Sequence, residues 1–256
     1  MQVPYIPSWK NDPQSQTHCT EKSILLVSGC SFTASGRLDT CASTWPGLLK
    51  QRCGMLQAFD YSFPGVGNEY IAESILHHVS DMNDQDAEKT LVVVMWSGLN
   101  RFLKKVSKPG AVDQGPFLKE HFYCRNDNPM KILSDNKLKA LGAQESADRI
   151  FQVARYLTSR NISFAFSFYC NLLYPPYIPK PDLSHEFDNY VDSTTLANLK
   201  KLPIIPRNPM DFMFEYGFAH DQLADDGFHP THNGVVGWTN NVLLPGLVDL
   251  SLVKPV

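Results

Sequence analysis

The sequence has little excess of charge: 23 Lys and Arg against 26 Asp and Glu give a net charge of −3, with no block of one sign. No basic face for nucleic acid is indicated, and no nucleic-acid partner is expected. Long apolar runs are missing as well. None approaches the roughly 18 consecutive apolar residues of a membrane-spanning helix, so no membrane partner is expected either. Met1 to Thr20 is rich in Pro, Gln and Ser and lacks the apolar centre of a secretory signal, which gives the expectation of a cytoplasmic protein. The six cysteines, Cys19, Cys30, Cys41, Cys53, Cys124 and Cys170, include no C-x-x-C pair. Such scatter favours free thiols in a reducing compartment over a disulfide framework. Internal repeats and low-complexity blocks are also absent.

What is present fits an ordinary globular protein. At 256 residues, with 43% hydrophobic and 19% charged residues, it is long enough to bury a substantial core. The short apolar run Ile24 to Val27 breaks at Gly29 and delivers Cys30, Ser31 and Thr33. That reads as a buried strand opening into a tight turn. Trp45 to Cys53 reads as a helix with Thr44 as its cap and Gly54 as its stop, and Met55 to Tyr61 as a second strand. After the Pro64-Gly65-Val66-Gly67 turn, Asn68 can cap a helix running to about Ser80, with Ile71, Ile75, Leu76 and Val79 at helical spacing. Thr90 to Trp96 is the clearest strand, apolar without alternation and hence covered on both faces. Ala143 to Ser159 reads as an amphipathic helix, Ile162 to Tyr169 as a further strand, and Leu202 to Ile205 as a short fifth one. A last helix is expected from about Gly234 to Leu244.

This alternation predicts an α/β protein: a single doubly wound three-layer α/β/α domain with a mostly parallel five-stranded sheet. Residues 1–22 form an irregular lead-in, 23–250 the domain, and about 103–140 a lid or insertion after the Thr90–Trp96 strand. In open α/β sheets, ligands bind outside the carboxyl ends of the strands. Ser31, Gly65 and Asn100 are all expected there. Each has a plainer use: Ser31 as a helix cap, Asn100 closing a turn, Gly65 and Gly67 as turn glycines, Asp226 as a cap and His229 as a surface histidine. Cys30 is an alternative nucleophile. Asp225, Asp226, His229 and His232 are chemically adequate for a metal, but Pro230 between the histidines argues against the helical presentation seen in zinc proteases. No metal and no cofactor are expected.

Taken in order, four blocks resemble those of the SGNH (GDSL-type) hydrolases: Gly29-Cys30-Ser31-Phe32-Thr33, Gly65 within Pro64-Gly65-Val66-Gly67-Asn68, Gly98-Leu99-Asn100, and Asp226-Gly227-Phe228-His229. The resemblance implies a flavodoxin-like SGNH fold and a catalytic triad of Ser31, Asp226 and His229. It implies an oxyanion hole from the Ser31 and Gly65 amides and the Asn100 side chain. The chemistry is coherent, since a serine hydroxyl needs a base to take its proton, and a carboxylate to orient that base. Two departures stand out: Cys30 replaces the usual aspartate before the serine, and Arg101 replaces the one after Asn100. Arg101 and Asn68 are the expected substrate-binding residues. The implied activity is a serine esterase or acylhydrolase acting on a small-molecule or carbohydrate ester, such as an O-acetyl group. The alternatives are an O-acyltransferase using the same triad and an inactive binding or structural protein of this fold.

Overall fold

The apolar strands predicted from sequence form one parallel sheet, and its order follows from their connections. In the computed structural model, which describes residues 18–33, 44–99, 136–169, 187–205, 207–215 and 230–255, the first elements are β1 (His18–Cys19), β2 (Ile24–Gly29), α1 (Trp45–Cys53) and β3 (Gln57–Asp60). Then come α2 (Asn68–Ser80), α3 (Asp84–Glu88), β4 (Thr90–Trp96), α4 (Asn136–Ser159) and β5 (Ser163–Phe168). After a 3-10 turn at Phe187–Asn189 follow α5 (Ser193–Leu199), α6 (Pro209–Glu215), α7 (His232–Trp238), a π-helical segment Thr239–Leu243, α8 (Leu244–Asp249) and β6 (Lys254–Pro255).

The sheet order is β3-β2-β4-β5, all parallel, with Leu25 opposite Ala58, Gly29 opposite Met95, and Leu91 opposite Ser163. Right-handed crossovers then dictate the layers. The connection β2-α1-β3 runs one way across the sheet, while β3-α2-β4 and β4-α4-β5 run the other, so α1 covers one face and α2 and α4 the opposite face. Packing agrees: the Trp45 and Trp238 rings meet edge-on at 6.1 Å, joining α1 to α7. On the other face Arg149 of α4 pairs with Glu69 of α2 at 3.1 Å. β4 is buried along its whole length, as its uninterrupted apolar sequence requires. The interior polar contact between β2 and α2 has an assignable direction. Ser74 spends its proton on the Ile71 carbonyl, so Ser28 is the donor in the 2.7 Å contact between the two hydroxyls.

Several expectations need correction. Among the described residues the sheet has four strands; the expected fifth is reduced to a single parallel bridge, Phe166 to Ile204. Its hydrogen bonds are Phe166 N–H to the Pro203 carbonyl and Ile205 N–H to the Phe166 carbonyl, both 2.8 Å. Pro203 has no amide to give the Phe164 carbonyl, which would be the next rung of a longer ladder. The lead-in is not wholly irregular, because β1 pairs antiparallel with β6 and Thr20 bonds the Leu252 carbonyl at 3.1 Å. Thr44 makes no capping bond to α1, although Gly54 ends that helix in the left-handed region at φ 65 as expected. Gly67, not Asn68, is the cap position of α2. α4 begins at Asn136, so residues 136–140 of the expected insertion are helix, and the rest of it lies outside the described residues. Among the described residues no helix is long and apolar enough to cross a membrane.

α6 starts with a reciprocal cap: Asn208 Oδ1 accepts from the Asp211 amide at 2.8 Å, while Asn208 Nδ2 donates to Asp211 Oδ2 at 2.9 Å. Burial nevertheless pushes the Asp211 carboxyl up from 3.8 to about 6, against the opposing pull of Asn208 and Arg207. Between those values the folded protein holds a proton that the unfolded chain has released. Stability should therefore fall as pH rises from about 4 through 6. Asp211→Asn should remove this component, so that the urea midpoint of the variant gains on wild type from pH 4 to pH 7. An unchanged difference between the two proteins across that range would contradict it.

Candidate active site

The Cys30–Thr33 turn is shaped by Gly29. A Cβ there would lie 2.2 Å from Thr33 Oγ1 and 3.1 Å from the Met95 carbonyl oxygen, so only glycine lets the turn fold back over the strand end. The turn closes with Thr33 N–H on the Cys30 carbonyl at 2.9 Å. Cys30 points into the core and is fully buried, whereas Ser31 is half-buried at the carboxyl edge of the sheet. Reactive cysteines sit in partly exposed surroundings. The burial of Cys30 therefore leaves Ser31 as the better placed of the two adjacent nucleophiles.

The second block comes alongside by an extension of strand pairing. Beyond β3 the chain keeps following β2, with Tyr61 N–H on the Val27 carbonyl at 2.9 Å and Phe63 N–H on the Gly29 carbonyl at 3.1 Å. Two residues later Gly65 turns at φ +84, with nothing within 4 Å of where a Cβ would stand. Among the described residues, the side on which a Cβ would stand is therefore open. Such a site lets a ligand approach the backbone without a side chain in the way.

The third block is held by Asn68. This side chain is 3% exposed. Its Oδ1 accepts from the Ser97 amide at 2.7 Å, and its Nδ2 donates to the Ser97 carbonyl at 3.0 Å and to Ser146 Oγ at 2.9 Å. Asn68 thus treats Ser97, the residue after β4, as a strand neighbour would, and ties it to α4. α4 lies close enough because Ala143, Ser146, Ala147 and Ile150 make its buried face mostly small. β5 ends level with β4, since Tyr169 N–H bonds the Trp96 carbonyl at 3.2 Å, and the Tyr169 ring lies 5.0 Å from that of Phe32.

Of the residues expected at the site, the structure brings Ser31, Gly65 and Asn68 to one edge of the sheet. Asn100, Arg101, Asp225, Asp226 and His229 lie outside the described residues. His232 is exposed at the start of α7. Ser97 and Ser146 escaped sequence reasoning. A serine after a strand and one inside a helix carry no local signal, and only the shared partner Asn68 reveals them.

No protein-family model matches the chain, and no curated protein matches its sequence. Solved structures do match in fold. The chain is similar to the crystal structure of TesA, with a TM-score of 0.51 at 16% identity over 89% of this chain and 99% of that one. It is similar to the psychrotrophic esterase EstA from Pseudoalteromonas sp., in a structure inhibited by monoethylphosphonate, with a TM-score of 0.52 at 9% identity over 90% and 99%. A third likeness is to the lipase Lip_vut3 from a goat rumen metagenome, with a TM-score of 0.51 at 12% identity over 87% and 96%.

Proposed function

We propose that this chain, which has the fold of the SGNH hydrolases, is a serine esterase or acylhydrolase. The observation that carries the reading is the meeting of Ser31 and the Gly65 turn at the carboxyl edge of the sheet, joined by the Phe63-to-Gly29 hydrogen bond of 3.1 Å. Ser31 Oγ attacks the ester carbonyl while His229 Nε2 takes its proton, and Asp226 orients the imidazole and stabilises it once charged. The amides of Ser31 and Gly65 and the side chain of Asn100 receive the developing oxyanion. Collapse of the tetrahedral species releases the alcohol, which receives the proton from His229, and leaves an acyl group on Ser31. Water, deprotonated by His229, then releases the acid. The fold neighbours described as an esterase and a lipase support ester chemistry for this site.

The substrate class proposed is a small-molecule or carbohydrate ester, an O-acetyl group in particular, with no cofactor, nucleic acid or membrane involved. The setting proposed is cytoplasmic, consistent with the free thiols of Cys19, Cys30 and Cys53. Incubation with a panel of acetyl and longer acyl esters, in the presence of an acceptor sugar, tests the reaction. Free acid as the only acyl product is the expected result; acylated acceptor in its place would make the protein a transferase.

Arg101 places a cation beside Asn100 in sequence, where an SGNH hydrolase carries an aspartate, and this favours an anionic substrate. Arg101→Ala should lower kcat/KM for an acidic ester by about tenfold more than for a neutral one, the scale of a lost charge-assisted hydrogen bond. Equal losses on the two esters would remove Arg101 from the substrate contact.

A further inference from the structure

We infer that Asn68 is a positioning residue: it clasps the turn carrying Gly65 to the end of β4 and so sets the spacing of the oxyanion donors. The inference rests on the esterase reading above and gives Asn68 a role other than substrate binding. Asn68 stands three positions after Gly65 and is the first residue of α2, with Gly67 as the cap. Its two donated and one accepted hydrogen bonds, between 2.7 and 3.0 Å, go to Ser97 and Ser146. The Ser97 backbone receives both a donor and an acceptor from the one side chain. This fixes the turn Ser97-Gly98-Leu99 at the point where the pairing of β4 with β2 has ended, at Met95 opposite Gly29. Asn100 is the next residue in the chain. One planar amide therefore links the two blocks that supply donors other than Ser31 itself.

The residue type is demanding. Aspartate has no N–H to give the Ser97 and Ser146 oxygens, and alanine leaves the amide and carbonyl of Ser97 without these partners in a buried place. A simple brace between α2 and its surroundings would also explain burial, but it would not select the backbone of Ser97. Ser74 provides the comparison. It is buried on the same helix and anchors it to β2 through Ser28 at 2.7 Å, without touching the Ser97 turn.

The test compares Asn68→Ala, Asn68→Asp and Ser74→Ala with wild type, on an ester that wild type hydrolyses and with a fluorophosphonate probe. Folding is checked by circular dichroism. Loss of a well-placed oxyanion donor costs about 100- to 1,000-fold in rate. A displaced donor retains part of its effect, so Asn68→Ala should lower kcat by about 10- to 100-fold with KM within about threefold, and slow probe labelling by a similar factor. Asn68→Asp, which keeps the acceptor for the Ser97 amide, should fall between Asn68→Ala and wild type and serves in its place should Asn68→Ala not fold. Ser74→Ala should keep kcat within about threefold of wild type, because it removes only the helix anchor. Full kcat in the folded Asn68 variants, or an equal loss in Ser74→Ala, overturns the inference while leaving the esterase reading intact. A wild type that neither hydrolyses esters nor takes the probe overturns both.

Discussion

Ser31→Ala is expected to reduce kcat by about 10,000- to 1,000,000-fold on any ester that wild type hydrolyses, with little change in KM. The magnitude follows from the chemistry of a hydroxyl nucleophile. Without Oγ no acyl-enzyme forms, and only direct attack by water remains, assisted by the donors of the oxyanion hole. His229→Ala should fall into the same range, because an unassisted serine is a weak nucleophile at neutral pH. Nucleophile and base act as a unit, so Ser31→Ala combined with His229→Ala should be no slower than the slower single variant. Losses that multiplied in the double variant would mean that the two residues serve different steps. Ser31 is half-buried on a turn whose shape is set by Gly29 and by the Thr33-to-Cys30 hydrogen bond.

Gly65→Ala should lower kcat by about 10- to 1,000-fold, the range set by loss or displacement of one oxyanion donor. Two features separate this expectation from ordinary destabilisation. Nothing lies within 4 Å of the added Cβ, so the methyl group meets no atom of the described protein. The backbone stands at φ +84, where an L-residue costs roughly 1–2 kcal/mol. Rotation of the peptide planes that relieves this strain would also turn the Gly65 amide, the donor proposed for the oxyanion. Thermal denaturation should show a loss no larger than the strain, while kcat falls far more. A variant with wild-type kcat would show that the Gly65 amide is not a donor.

The elements that were legible in the sequence are those whose burial is uniform. β4 is covered on both faces, so its composition alone marks it; β2 ends at a glycine whose absence of a side chain is needed structurally. β3 is an edge strand with residues alternately exposed and half-buried, so its place between a helix and a Pro-Gly turn marks it better than its residues do. The pairing of β1 with β6 joins opposite ends of the chain and leaves no local trace. The early start of α4 is hidden in Asn136-Lys137-Leu138-Lys139, where one apolar residue in four gives no amphipathic pattern.

The site shows the same division. The turns that carry Ser31 and Gly65 are legible because glycines at strand ends advertise turns. Asn68 was legible as a polar residue at a helix start, but a cap and an interior clasp use the same residue type. What separates them is the position of Ser97, fixed by the register of β4 against β2 and therefore set by distant sequence. Cys30 and Ser31 are neighbours with similar chemistry. The sheet places the thiol inside and leaves the hydroxyl at the edge.

An activated Ser31 hydroxyl reacts covalently with phosphonylating reagents, and labelling reads this property without any choice of substrate. Wild-type protein is treated with a fluorophosphonate probe, digested, and the modified residue located by mass spectrometry. One adduct per chain is expected, on Ser31, absent from Ser31→Ala and formed more slowly in Gly65→Ala. Folded wild-type protein that stays unlabelled, or that carries its adduct on another residue, would contradict it.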